Sequence, residues 1–298
     1  LLTDLVSWRW VFLINVVPIA ATMLLMAPLR NEPAAVRAPL DLAGAALGAV
    51  GLGGVVFGLI EQANYGWGSP VVVVPLVVGG LSLIGFIVRQ AAAQHPMMPL
   101  SLFRQRNFAV GNLATVAIYA SLSLSTLVIV LFLQQVAGLS ATQSGLTMLP
   151  VTIMLIVFSS QFGRLAGRYG SRWFMTAGPL VASGGLLSML AIDDPFDFVS
   201  QALVGVVALG LGLAITVAPL TSAVLGAIEP ARSGIASAVN NAVSRISGLV
   251  AIALLGAVVG TTVNPEWLDR ALVLCAVLMV VGAVISAIGI RRPDVASM

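Results

Sequence analysis

The sequence predicts an all-α, polytopic membrane protein, a bundle of nine membrane-spanning helices. Two observations concern composition: 59% of the 298 residues are hydrophobic and only 8% are charged. Soluble globular domains carry about 25% charged residues. The third observation is that the apolar residues form runs of about 20, the length that a helix needs to cross the hydrocarbon core of a bilayer.

The nine predicted spans alternate with shorter polar connections. They cover residues 10–29, 42–60, 71–88, 108–133, 145–162, 173–192, 201–227, 236–260 and 271–290. Several spans contain proline, which membrane helices tolerate because neighbouring helices satisfy the freed carbonyl groups. The second span has two Gly-x-x-x-Gly patterns, at Gly44 and Gly54, which favour close approach of a second helix.

The positive charges predict the orientation of the spans. The net charge of +3 includes no lysine, and the basic residues are all arginine. If the final pair Arg291-Arg292 is cytoplasmic, alternation of the spans places most other arginines on the same side, namely Arg30, Arg37, Arg89, Arg104, Arg106, Arg164, Arg168, Arg172 and Arg232. Positive charge is retained in the cytoplasm. We therefore predict a multi-pass protein of the cell (inner or plasma) membrane with a cytoplasmic C-terminus.

The same charge distribution excludes some functions. Arginines placed in short loops between spans follow from membrane topology, so the basic balance does not predict a nucleic-acid partner. The sequence has no His-Glu-x-x-His, no Gly-x-Ser-x-Gly and no paired acids within a span. Cys275 is the one cysteine and is interpreted as a small buried hydrophobic residue, and His95 as a solvated loop residue. We predict that the protein is not an enzyme and has no cofactor or metal site.

A short basic segment, residues 163–172, lies between the fifth and sixth spans. It contains three arginines and three glycines in ten residues. Dense arginine marks a cytoplasmic face, and glycine lets two helix ends turn and pack closely. The segment predicts a cytoplasmic loop whose functional residues are Gly163, Arg164, Arg168, Gly170 and Arg172.

Polar residues within the last six spans are candidates for lining a substrate cavity. Asn112, Thr115 and Tyr119 are three and four residues apart, so they share one helix face. Such a stripe faces either a partner helix or a water-filled cavity, and the spacing leaves both open. The full set of candidates is Asn112, Tyr119, Gln134, Thr216, Asn240 and Arg245.

The sequence is compatible with two environments for Arg245. It lies inside the eighth predicted span, near its cytoplasmic end. Its long side chain could reach the membrane interface, as arginines near helix ends do. Alternatively, it faces the cavity and meets an anion, a carboxylate or a carbonyl group.

Four stretches together resemble a known family. They are Trp8-Arg9-Trp10 with Phe12-Leu13-Ile14-Asn15 and Pro18; Pro99 with Leu102-Phe103-Arg104 and Asn107-Phe108; residues 163–172; and Gly234 with Asn240 and Arg245. In this order and spacing, the chain resembles the C-terminal part of the fourteen-span drug:proton antiporters of the major facilitator superfamily, from the sixth span onward. In the family's version of the basic loop, an acid stands where this chain has Gly167, which leaves Arg168 without that partner.

The resemblance implies a division into three parts. Residues 1–30 would be the last span of the N-terminal bundle. Residues 31–106 would be a cytoplasmic loop, a two-span linker hairpin and a following loop. Residues 107–298 would be the complete C-terminal six-span bundle.

The resemblance also implies a function. The chain would be part of a secondary transporter that exports drugs or lipophilic metabolites, coupled to protons, by alternating access. Its partners would be the small-molecule substrate, protons, the lipid bilayer and the missing N-terminal half, where the proton-coupling carboxylates are expected. Consistent with that expectation, Asp41 and Glu61 lie at the ends of a span rather than in its middle. The alternative is a non-transporting half, a structural or accessory membrane protein that pairs with another chain.

Overall fold

The computed structural model describes residues 9, 13–27, 41–94, 96–192, 196–260 and 262–291. Within these ranges the chain is helical and contains no β-strand. The α-helices are α1 Val16–Met26, α2 Leu42–Tyr65, α3 Pro70–Ala92, α4 Arg106–Gln135, α5 Ala141–Thr147, α6 Leu149–Tyr169, α7 Ser171–Ser188, α8 Leu203–Leu225, α9 Ser233–Val259 and α10 Pro265–Gly289. The prediction of an all-α membrane protein is confirmed.

Eight helical units in the described ranges are long and apolar enough to cross a bilayer. They match the second to ninth predicted spans, with α5 and α6 together forming one unit. The first predicted span contains α1, which has 11 residues and is about 16 Å long. Residues 10–12 and 28–29 of that span lie outside the described residues, so the ninth span stays a prediction. Trp8, Trp10, Arg30, Arg37, His95 and Arg292 also lie outside them.

Helix ends follow from capping residues in the sequence. The Asn264 side chain accepts a hydrogen bond from the backbone N–H of Trp267 at 2.7 Å and so caps the N-terminus of α10. Ser140 and Gln143 form a reciprocal capping box at the start of α5. At the end of α9, Gly260 adopts a φ of +102°, a conformation that residues with a Cβ rarely adopt.

The basic segment 163–172 is helical, so the prediction of a loop was wrong for most of its length. Helix α6 continues through Arg164 and Arg168 to Tyr169, and α7 starts at Ser171. Only Gly170 interrupts the helices, with a φ of +90°. The reason is that the arginines are good helix formers, and isolated glycines such as Gly163 weaken a helix without ending it. The hairpin therefore turns at a single residue.

The helices α2 and α3 form a tightly packed hairpin. Gly54 and Gly79 face each other closely, and a Cβ added to Gly54 would lie 2.6 Å from the carbonyl oxygen of Pro75. At the open end of the hairpin, the Asp41 carboxylate pairs with Arg89 at 2.6 Å and accepts a hydrogen bond from Gln90 at 3.0 Å. Small residues and one satisfied polar cluster thus hold the hairpin together.

The helices α4 and α6 to α10 form one bundle with a shared core. α4 packs against both α9 and α10, while α8 packs against α6 and α7. Arg106 of α4 donates to the carbonyl oxygen of Gly289 at 2.9 Å, which ties the first helix of the bundle to the last. The hairpin of α2 and α3 joins this bundle through contacts between α2 and α9.

Candidate substrate-binding cavity

A polar cavity of about 640 Å³ lies between α4, α8 and α9. Most of its lining comes from α9. The lining residues are Tyr119, Leu122 and Ser123 of α4, Thr221 of α8, and Ser237, Asn240, Asn241, Ser244, Arg245, Gly248, Leu249 and Ile252 of α9. All of these residues lie in helices that are long and apolar enough to span a membrane.

Helical periodicity explains why α9 presents so many polar groups to one space. Ser237, Asn241 and Ser244 are four and three residues apart, so their side chains follow one face of the helix. Gly248 continues this face one turn later. A Cβ at Gly248 would overlap the Ser123 hydroxyl group, so α4 and α9 touch at this level. The cavity is therefore bounded where the two helices come together.

A hydrogen-bonded cluster forms part of the wall between α4 and α9. The side-chain nitrogen of Asn240 donates to the Asn112 oxygen at 3.2 Å and to the Thr115 hydroxyl at 3.0 Å. Asn112 is buried and in turn donates to the carbonyl oxygen of Phe108. The polar stripe of α4 thus has both predicted roles: Asn112 and Thr115 bind a partner helix, and Tyr119 lines the cavity.

Several polar groups of the cavity have no partner in the part of the chain that the structure describes. The side chains of Tyr119, Ser123, Ser237, Asn241 and Arg245 make no hydrogen bond or ion pair with any described residue. Leaving a polar group unpaired at membrane depth is costly. Groups of this kind that converge on one space are suited to binding water or a solute there.

Arg245 lines this cavity and lies near the middle of the 27-residue helix α9. Among the described lining residues, Arg245 is the one charged side chain. No acidic side chain contributes to this part of the wall. Its mid-helix position favours the cavity interpretation over the interfacial one, because arginines that reach the interface lie near helix ends.

Two predicted cavity residues lie elsewhere. Thr216 is buried between α7 and α8, where its hydroxyl donates to the carbonyl oxygen of Gly212 at 2.6 Å. Gln134 is exposed in the last turn of α4, away from the cavity. The sequence shows that both are polar residues in predicted spans. It does not show that α7 packs directly against Thr216, which happens because Gly178 of α7 has no side chain.

Sequence reasoning missed five polar residues of the lining. They are Ser123, Thr221, Ser237, Asn241 and Ser244. The signal available was the four-and-three spacing on α9, which places Ser237, Asn241 and Ser244 on one face. The residues of α4 and α8 gave no comparable signal, because which helices flank α9 is a property of the packed bundle.

A second cavity of about 510 Å³ lies between α4, α9 and α10, and its lining is apolar except for one serine. The Ser247 hydroxyl already donates to the carbonyl oxygen of Val243 at 2.6 Å. The helix α9 therefore separates a polar cavity from an apolar one. In the described residues, no group of three or more His, Cys, Asp or Glu could hold a metal ion.

Comparisons with known proteins place the chain among membrane transporter families of similar sequence. The family model described as Major Facilitator Superfamily matches residues 1–252 and, in a second alignment, residues 113–297. The Multidrug resistance protein Stp of Mycobacterium tuberculosis (strain ATCC 25618 / H37Rv) is 31% identical over 280 residues, which cover 91% of this chain and 51% of Stp. The Puromycin resistance protein pur8 of Streptomyces alboniger is 31% identical over 269 residues, 87% of this chain and 52% of pur8.

A third relative is named for resistance to another antibiotic. The Methylenomycin A resistance protein of Bacillus subtilis (strain 168) is 29% identical over 264 residues, which cover 87% of this chain and 55% of that protein. The chain thus spans about half the length of the curated relatives it matches.

Proposed function

Because the chain belongs to the Major Facilitator Superfamily, we propose that it is part of a secondary active transporter that exports drugs or lipophilic metabolites. The observation that carries the proposal is the cavity of about 640 Å³, whose wall holds polar side chains without a partner in the described residues, on helices long and apolar enough to cross a membrane. Similar proteins named for resistance to drugs or for drug export support the same function.

The proposed place of the chain in the transporter follows the family resemblance. The transporter has fourteen spans, and the chain supplies the sixth span onward, nine in all: residues 1–30 as the end of the first bundle, 31–106 as the loop and linker hairpin, and 107–298 as the second bundle. Two observations support this division. The helices α4 and α6 to α10 share a core, whereas α2 and α3 form a separate hairpin on α9. The match to about half of each relative fits as well.

The proposed mechanism is alternating access, in which the two bundles rock about a substrate bound between them. Tyr119, Asn240 and Arg245 contact the substrate, and Asn112 holds Asn240 in position. Protons drive export, and the carboxylates that carry them are contributed by the missing N-terminal half. The absence of an acidic residue from the described cavity wall supports this assignment.

The proposed role of the basic hairpin is to contact the first bundle and limit its movement. Arg164 and Arg168 lie in the last turns of α6, next to the turn at Gly170, and Arg172 lies in the first turn of α7. Gly163, at the start of the segment, packs near Ala218 of α8. A hairpin with cytoplasmic arginines also fits the proposed cytoplasmic C-terminus, because Arg291 would lie on the same side.

The function is tested by dye efflux from cells that produce the full-length gene product. We expect producing cells to accumulate less of a lipophilic fluorescent dye than cells without the gene. An ionophore that collapses the proton gradient should abolish the difference. The Arg245→Ala variant should keep its membrane yield but lose most of the export, while Arg270→Ala, at an exposed pair with Glu266, should export normally. Equal dye accumulation with and without the protein would contradict export.

A further inference from the structure

The charge of the polar cavity is the starting point for a further inference. Twelve residues line it, and the one charged side chain among them is Arg245. No ion pair involves Arg245 in the described part of the chain, whereas Arg89 pairs with Asp41 and Arg270 with Glu266. An arginine keeps its positive charge in proteins. The cavity is therefore a positive site within the membrane.

The other unpaired groups near Arg245 can donate hydrogen bonds. Asn241 is the fourth residue before Arg245 and Leu249 the fourth after it, so both are its neighbours on the helix. The Asn241 amide and the hydroxyl groups of Ser237 and Tyr119 are donors without a partner in the described residues. A guanidinium group with flanking amide and hydroxyl donors is suited to a planar or tetrahedral oxyanion.

Apolar side chains line the cavity beside these donors. They are Leu122 of α4 and Leu249 and Ile252 of α9, with the close contact at Gly248 as the boundary. Leu249 and Ile252 lie on the C-terminal side of Arg245 along α9. A molecule bound with its charged group at Arg245 would therefore place an apolar portion against them.

We propose that this cavity selects amphipathic organic anions: a carboxylate or sulfonate group binds the Arg245 guanidinium, and the apolar body contacts Leu122, Leu249 and Ile252. The inference rests on the proposed function, since it names the chemical class that the transport cavity accepts. If a carboxylate from another part of the transporter neutralised Arg245, Arg245→Gln would leave binding of an anion unchanged. That result would overturn the proposal.

The test compares two probes that differ by one charged group. 8-Anilinonaphthalene-1-sulfonate is an anion, and N-phenyl-1-naphthylamine is its neutral counterpart without the sulfonate. Binding of each is measured by fluorescence to purified full-length protein in phosphatidylcholine nanodiscs, with empty nanodiscs subtracted. The variants are Arg245→Gln, Arg245→Lys and the control Arg270→Gln.

We expect Arg245→Gln to weaken binding of the anionic probe about tenfold or more, because a charged hydrogen-bonding partner is lost. Binding of the neutral probe should change less than about twofold by the same reasoning. Arg245→Lys should keep part of the affinity, since it preserves the charge but not the planar donors. Arg270→Gln should match the unmodified protein for both probes.

A second measurement needs no variant. Raising the salt concentration should weaken binding of the anion to the unmodified protein and leave the neutral probe unaffected, because salt screens charge interactions in a solvent-accessible cavity. Equal losses for both probes in Arg245→Gln, or unchanged binding of the anion, would overturn the proposal. Dye export without any charge preference would leave the proposed function standing and refute only the substrate class. Charge-selective binding without export would refute the function alone.

Discussion

Two helix–helix interfaces of the bundle contain similar small and polar residues but pack differently. Between α7 and α8, glycine and threonine bring the helices into contact, and the Thr216 hydroxyl is satisfied by the carbonyl oxygen of Gly212. Between α4 and α9, serine, asparagine and arginine surround an open space, and several of their polar groups are unpaired in the described residues. The α7–α8 interface is closed, whereas the α4–α9 interface has a hydrogen-bonded wall and, beside it, an open cavity.

The difference teaches that polar residues in a membrane span do not by themselves identify a binding site. A threonine or serine can donate to the carbonyl oxygen four residues earlier in its own helix and then pack as a small residue. What marks the α4–α9 side is the combination of space with donors that have no partner among the described residues.

The largest effect is expected for Gly178→Ala, at the closed interface. The added Cβ would lie 2.7 Å from the carbonyl oxygen of Gly212 and would also overlap the Thr216 hydroxyl. Overpacking of this kind costs about 1–3 kcal/mol or more. We expect a clear fall in the thermal midpoint of the purified protein, measured by the fraction that stays monodisperse after heating.

The matched control is Gly184→Ala on the same helix. No atom of the described residues lies within 4 Å of a Cβ added there, so its midpoint should equal or exceed that of the unmodified protein. If Gly178→Ala and Gly184→Ala had the same stability, the α7–α8 interface would not be as close as described.

A smaller effect is expected from the two adjacent asparagines of α9. In Asn240→Leu, the buried oxygen of Asn112 loses its donor, which we expect to destabilise the protein by about 1 kcal/mol. In Asn241→Leu no hydrogen bond with a described residue is lost. Thermal midpoints should therefore fall for Asn240→Leu and stay unchanged for Asn241→Leu, whereas dye export should fall for both. Equal destabilisation by the two substitutions would contradict the assignment of Asn240 to the hydrogen-bonded wall and of Asn241 to the open cavity lining.

The smallest effect concerns a satisfied polar cluster at the end of a span. The N–H of Gly44 and then the Arg89 guanidinium hold the pKa of Asp41 below its usual range. Because the folded-state pKa is lowered, the stabilisation is present at neutral pH and is lost as the pH falls through that pKa. The thermal midpoint of Asp41→Asn should be lower than that of the unmodified protein at pH 7. The two should converge in acid. A difference that is constant with pH would exclude the charge of Asp41 as its cause.

Much of the fold could be predicted from the sequence, because a bilayer imposes a helix length and forbids unpaired backbone groups. The second to ninth spans were predicted within a few residues at most ends. The prediction was less accurate for the basic segment, since helices continue through arginine beyond the apolar run and end only at Gly170.

The site was predicted in part. Tyr119, Asn240 and Arg245 line the cavity and Asn112 supports it, whereas Thr216 and Gln134 lie elsewhere. Helical spacing shows which residues share a face. It does not show which neighbouring helix covers that face, and Thr216 is covered because Gly178 of α7 lets that helix approach.

Cysteine labelling tests the contrast between the open and closed interfaces most directly. Cys275 is buried and is the one cysteine of this sequence, so the background is Cys275→Ala with any cysteine in the rest of the full-length protein also replaced. In that background, membranes that contain the Asn241→Cys or the Thr216→Cys variant are treated with a hydrophilic thiol reagent. We expect rapid labelling at position 241 and none at position 216 until the protein is denatured. Equal labelling at both positions, or faster labelling at position 216, would contradict it.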